Sequence, residues 1–93
     1  MPTHAVELSS RALEDLSAVS RDLAGRIMKK LRELEEYPFP RGDTVKHLQG
    51  FETPTYRLRI GDYRTIYRIR GMIVVVLRII HRSDLNRALR ELM

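Results

Sequence analysis

His4-Ala5-Val6-Glu7-Leu8 alternates apolar with other residues, a period of two that predicts a short strand. Ser9 or Ser10 can then cap a helix from Arg11 to about Val19, with Leu13 and Leu16 on its inner face. Ser20 and Asp22 read as a fresh N-cap region rather than the middle of one long helix. The second helix runs to about Glu36. Leu23, Ile27, Leu31 and Leu34 recur in it at helical spacing and Met28 widens the stripe, while Lys29, Lys30, Arg32, Glu33, Glu35 and Glu36 cover the other side. Pro38 and Pro40 stop it, because proline removes a backbone donor and restricts the residue before it. The first third is therefore an amphipathic helical hairpin, or one bent helix.

Residues 38–55 contain Pro38, Pro40, Gly42, Gly50 and Pro54 and read as a loop, with a short strand near Val45 to Leu48. Three strands follow in close succession, about Thr55–Ile60, Tyr63–Ile69 and Met72–Ile80. Gly61-Asp62 joins the first two and suits a two-residue type II′ hairpin. Arg70-Gly71 gives a weaker turn signal. The last strand is nearly all apolar, which predicts a central position buried on both faces. Ser83 can cap a terminal helix that aligns Leu85, Leu89 and Leu92. The expected class is α+β in the order β-α-α-β-β-β-α, as one domain over residues 1–93.

The tight turn permits side chains to be placed. A two-residue loop at Gly61-Asp62 opposes Ile60 to Tyr63, Arg59 to Arg64, Leu58 to Thr65 and Arg57 to Ile66. Side chains alternate along a strand, and opposed residues share a face. Tyr56, Leu58, Ile60, Tyr63 and Tyr67 then fall on the face to be buried under the helices. Arg57, Arg59, Arg64 and Arg68 fall on the other. Like charges opposed across a strand pair destabilise it, so such a patch is favoured when an anion meets it, and the planar guanidinium matches phosphate bidentately. The plainer alternative is a solvated sheet face with arginines extended over apolar neighbours. A two-residue turn at Arg70-Gly71 would carry Ile79 and His81 to the rim of this patch; a three-residue turn would reverse them.

Charge strengthens the picture. The net charge is +5, yet residues 1–36 hold 6 Lys/Arg against 7 Asp/Glu, while residues 37–93 hold 11 against 5. A basic half points to a polyanion, either nucleic acid or an acidic protein segment. A chain of 93 residues buries only roughly 60–65% of its unfolded surface, so a tight protein partner would add materially to its stability. There is no cysteine, which excludes disulfides and thiolate chemistry and suits a reducing compartment. Met1 to Glu7 lacks the pattern of a signal peptide, and the apolar run Met72 to Leu77 is too short to span a bilayer. A soluble, cytoplasmic protein with no membrane contact is expected.

Other chemistry finds little support. His4, His47 and His81 are scattered, without acidic or cysteine partners at metal-ligand spacing, so neither metal nor cofactor is expected. No glycine-rich phosphate loop precedes a helix. No carboxylate pair stands in an apolar setting suited to acid/base work. Two phenylalanines and four tyrosines make a poor platform for stacking many bases.

The run Tyr56-Arg57-Leu58-Arg59-Ile60-Gly61-Asp62-Tyr63-Arg64-Thr65-Ile66-Tyr67-Arg68-Ile69 resembles the central hairpin of RelE-type toxins of the RelE/ParE superfamily. The apolar strand ending His81-Arg82-Ser83-Asp84, the helical hairpin and the segment Lys46-His47-Leu48-x-Gly50 fit the same pattern across essentially the whole chain. The resemblance implies a RelE-like fold, with the N-terminal strand and the antiparallel meander in one sheet against the helical hairpin. It implies a ribosome-dependent, metal-independent endoribonuclease, in which the RNA 2′-hydroxyl attacks the adjacent phosphate. By family position Arg57, Arg59, Arg64 and Arg82 would stabilise charge on that phosphate. Lys46, Arg68 and Asn86 would contact RNA. His81, whose unperturbed pKa lies near neutrality, is the expected acid or base. Many members carry a tyrosine where this chain has Asn86. The implied partners are a cognate antitoxin, the ribosome and mRNA, with operator DNA reached only through the antitoxin complex. Two rivals share the fold: a ParE-like toxin that inhibits DNA gyrase, and a weakly active homologue serving mainly as an antitoxin-binding module.

Overall fold

A computed structural model describes every residue, Met1–Met93. Strand β1 (Ala5–Leu8) leads into α1 (Ser10–Ser17) and α2 (Arg21–Glu33), then β2 (Val45–Leu48), β3 (Thr55–Ile60), β4 (Tyr63–Arg70) and β5 (Ile73–His81). A single 3-10 turn, Arg82–Asp84, precedes α3 (Leu85–Leu92). The strands form one sheet in the order β1-β5-β4-β3-β2. β1 runs parallel to β5, and every other pairing is antiparallel.

The helical hairpin is two helices, as its caps dictate. The Ser9 hydroxyl accepts the Ala12 N–H at 3.1 Å and donates to the Leu77 carbonyl at 3.0 Å, so α1 starts pinned to β5. Ser20 begins α2 by accepting the Leu23 N–H at 3.2 Å. α2 stops at Glu33, short of the expected Glu36. Residues 34–36 continue with bonds to the third residue back, such as Glu36 N–H to the Glu33 carbonyl, which tightens the final turn. In α1 the inward row is Ala12 and Leu16, four residues apart, and Leu13 is left 55% exposed rather than buried.

The helices α1 and α2 cover one face of the sheet. Ile27, Leu31 and Leu34 meet Leu58, Tyr67 and Val76 there, all 1% exposed or less. Tyr67 keeps its phenol buried by donating to the Pro38 carbonyl at 2.7 Å. The other face carries a smaller cluster of Ile66, Ile80 and Ala88 with Leu85, Leu89 and Leu92 of α3. β5 lies inside the sheet, with Val74, Val76 and Ile79 buried on one face and Ile80 on the other. Ile73 at its start stays exposed, so the double coverage its apolar run implied holds only for its second half.

Both hairpin turns place glycine first. Gly61 has φ +57 and Gly71 has φ +59, while no other residue type has positive φ, the pattern of a type II′ turn. The β3–β4 register is the expected one, with Arg59 opposite Arg64. The second turn is Gly71-Met72, not Arg70-Gly71, because the type II′ geometry wants glycine in its first position; Arg70 pairs with Ile73. A bulge at Leu77 then inserts one more residue, so that Arg64 pairs with Ile80 and Tyr63 with His81. This corrects the expected faces of Ile79 and His81: both lie on the helix-covered side, and Ile79 is 2% exposed.

Past Leu8 and Val76 the pairing of β1 with β5 ends, and α1 takes over the exposed edge. Asp15 Oδ2 accepts the Ile79 N–H at 2.9 Å and the Arg78 Nε–H at 2.8 Å; Oδ1 accepts from Arg78 Nη2 at 3.2 Å. The hydrogen-bonded carboxylate holds the Arg78 guanidinium above its ordinary pKa, against the opposing effect of burial. Arg78 Nη1 also lies 3.6 Å from Glu91 of α3, which ties the two helical layers through the sheet. Asp15→Ala leaves a largely buried guanidinium and a strand N–H without a partner, and is expected to lower stability by about 3 kcal/mol in urea unfolding. Adding Arg78→Met should restore part of that loss.

Candidate functional site

The pleat of β3 and β4 decides where the arginines go. Thr55, Arg57 and Arg59 share a face with Arg64, Ile66 and Arg68, and Lys46 joins them because it pairs with Arg57. The turn at Gly61-Asp62 brings the first three arginines to one end of that face. The Arg82 N–H donates to the Asp62 carbonyl at 2.7 Å, which fixes the end of β5 against the same turn. Burial lowers the pKa of Arg64, and the fields of Arg57, Arg59 and Arg82 lower it further, with Asp62 opposing. The four guanidiniums therefore act on one region of space.

Their partners leave them available. Arg57 Nη1 donates to the Asp43 carbonyl at 3.0 Å, and Arg64 Nη1 donates to the Gly61 and Tyr63 carbonyls, both at 2.9 Å. These contacts orient the side chains without neutralising them. No carboxylate is ion-paired with Arg57, Arg59 or Arg64. Arg82 reaches Asp62 only at 3.7 Å, with both side chains about two-thirds exposed, a pair an arriving anion can displace at little cost. Lys46 is held by Asp43 at 3.0 Å. The hydrogen bond and charge of Lys46, with help from Arg59 and Arg57, keep the Asp43 carboxyl below its ordinary pKa.

Other expected members stand apart. Arg68 lies four residues along β4 from Arg64, roughly 13 Å. There its Nε donates to Thr55 Oγ1 at 3.1 Å, and its guanidinium sits over the Phe51 ring, 5.8 Å from the centroid. Asn86 is exposed in the first turn of α3. His81 packs edge-on against Tyr63, with ring centroids 5.5 Å apart, and its Nδ1 accepts the Ser83 N–H at 3.2 Å to cap the turn before α3. The cap selects the tautomer that carries its proton on Nε2. Asp43 and Asp62, the two acids that border the cluster, were not anticipated; the spacing of Asp43 three residues before Lys46 was the available signal.

Four cations around a tight turn, three without an ion-pair partner, form an arrangement whose charge and planar donors match those of a phosphate group. The sequence model of the family described as ParE toxin of type II toxin-antitoxin system, parDE, matches residues 6–86. The chain belongs to that family, within the RelE/ParE superfamily of toxins. Solved structures agree on the fold. A chain of the archaeal RelE-RelB complex from Pyrococcus horikoshii is 27% identical, with a TM-score of 0.75 over 87% of this chain and 97% of that one. A chain of the toxin-antitoxin complex RelBE2 from Mycobacterium tuberculosis is 27% identical, with a TM-score of 0.75 over 88% and 100%. A mutant of the Escherichia coli toxin RelE in the free state shares 19% identity and superposes with a TM-score of 0.73 over the full length of both chains. No curated protein sequence matches.

Arg59→Gln removes one member of the directly opposed pair. It should raise the thermal midpoint at low salt by roughly 2–4 °C, the effect of relieving about 0.5 kcal/mol of cross-strand repulsion in a domain this small. Added phosphate should raise the midpoint of the unsubstituted protein more than that of the variant.

Proposed function

We propose that this toxin is a ribosome-dependent endoribonuclease that cleaves mRNA. The supporting observation is the convergence of Arg57, Arg59 and Arg64, none of them ion-paired, beside Arg82 at the Gly61-Asp62 turn. In the proposed reaction the 2′-oxygen bonds to the adjacent phosphorus and the bond from phosphorus to the 5′-oxygen breaks. The 2′-hydroxyl releases its proton to water and the departing 5′-oxygen takes one from water, so the products are a cyclic phosphate and a 5′-hydroxyl. Negative charge grows on the phosphate oxygens along this path, and preorganised guanidiniums stabilise it without surrendering protons. His81 shares its face with Tyr63 rather than with the arginines, so it serves the reaction only from the end of β5, as a hydrogen-bond donor through Nε2, the nitrogen left free by the Ser83 cap. Lys46, Arg68 and Asn86 extend the contact surface for RNA.

The partners follow from the same reading. A cognate antitoxin neutralises the toxin by covering the basic face, as an acidic segment that orders on binding. Operator DNA is reached through that complex. No helix is long and apolar enough to cross a membrane, and an mRNA target places the action in the cytoplasm.

A second reading, inhibition of DNA gyrase, draws on the ParE family match and on Asn86 standing where a phenol is common. Mapping 5′ ends on ribosome-bound mRNA separates the two: codon-phased cuts are expected, and inhibited supercoiling with intact mRNA would overturn the ribonuclease reading. Arg64→Gln should slow cleavage about 100-fold, the usual effect of removing one transition-state donor. His81→Ala should slow it as well, and unchanged cleavage would remove His81 from the site.

A further inference from the structure

Arg26, Lys29 and Lys30 occupy positions i, i+3 and i+4 of α2 and lie together on an exposed face. Like charges at those spacings weaken a helix. This face looks onto the back of the β3–β4 turn, where Arg26, Lys29, Lys30, Thr44, Arg59 and Gly61 line a groove of about 510 Å³. Arg26 Nη2 reaches across it, to within 3.6 Å of the point a Cβ on Gly61 would occupy. Arg59 belongs to both places: its strand position puts its side chain with Arg57 and Arg64, and the residue also borders the groove at the end of β3.

The acids nearby do not cancel this charge. Glu33 itself lines the groove, but it meets Lys30 at 3.4 Å and is shared with Arg41 at 3.5 Å. Asp62 flanks Arg26 on the other side of the turn but is drawn toward Arg82. Arg26 and Lys29 have no carboxylate partner. No aromatic side chain lines the groove, so it offers charge to a backbone and no ring for a base to stack on.

We propose that this groove is a second phosphate site, which holds the RNA backbone next to the nucleotide at the arginine cluster, with Arg59 bridging the two. The inference rests on the ribonuclease reading and extends it: the substrate is a single strand bent around the Gly61-Asp62 turn, contacted on both sides of the sheet edge. Recognition at the second site is independent of sequence, because only the backbone is touched.

The test uses the whole chain and a short 2′-O-methyl RNA, which binds but lacks the attacking hydroxyl. Affinity measured by fluorescence anisotropy across a salt series gives the number of phosphates neutralised. The double variant Arg26→Gln/Lys29→Gln should reduce the salt slope by about 1.4, at roughly 0.7 per cation on a single strand. Arg70→Gln/Arg90→Gln removes two exposed charges elsewhere and should leave the slope unchanged. Thermal midpoints no lower than the parent's exclude a folding defect. An unchanged slope, an equal fall in the control pair, or a loss confined to an acidic antitoxin peptide would each overturn the groove. Cleavage of ribosome-bound mRNA by the unsubstituted protein is followed in parallel. Cleavage with an unchanged slope removes the groove alone, and absence of cleavage removes both readings.

Discussion

Arg59 and Arg64 face each other across a two-residue hairpin, and the rest of the molecule is arranged around holding that unfavourable pair in place. Their mutual repulsion opposes closure of the turn. Closure is enforced from the opposite side of the same strands, where Leu58, Ile60 and Tyr67 are buried beneath α2. Burial of such side chains contributes about 1.5–3 kcal/mol each, well above the cross-strand penalty of under about 1 kcal/mol. The hydrophobic face thus fixes the geometry of the charged one. Two lone-pair acceptors at the turn, the Gly61 and Tyr63 carbonyls, aim Arg64 without discharging it.

The arginine-bearing face is divided between structure and open surface. Arg78 is consumed by Asp15 and Glu91, and Arg68 is engaged by Thr55 and Phe51. The leucines of α3 cover Ile66 and Ile80 in the middle of the sheet. What remains open is the end at Gly61-Asp62, where Arg57, Arg59, Arg64 and Arg82 gather. Concentration of unpaired cations at one rim, rather than their number, separates this surface from a merely basic one.

Much of this was legible in the residues. Gly61-Asp62 set the register of β3 and β4, and with it the shared face of Arg57, Arg59 and Arg64. Ser9 and Ser20 marked the two helix starts, and the apolar run of β5 marked an interior strand. The misplaced element was the far half of β5. Gly71 could stand first or second in its turn, and nothing local announces the bulge at Leu77, which is set by Ser9 and Asp15 reaching in from distant sequence. The bulge alone decided the face of His81, since moving a two-residue turn by one position shifts the pairing by two and leaves every face unchanged. Its capping of Ser83 was equally hidden, since histidine is an uncommon N-cap and serine the expected one. The inward row of α1 failed for a related reason: eight residues are too few to distinguish Leu13 from Ala12 by periodicity.

The parallel pairing of β1 with β5 has a consequence for how the protein is born. Ala5 is matched to Ile73 and Leu8 to Val76, so the first strand finds its neighbour only after most of the chain exists. Contacts this distant in sequence close slowly and late. During synthesis α1 and α2 emerge with their apolar sides uncovered, since the strands they shield have yet to be made. The newborn chain is accordingly incomplete until its last third is released, and its cations acquire a fixed arrangement only then.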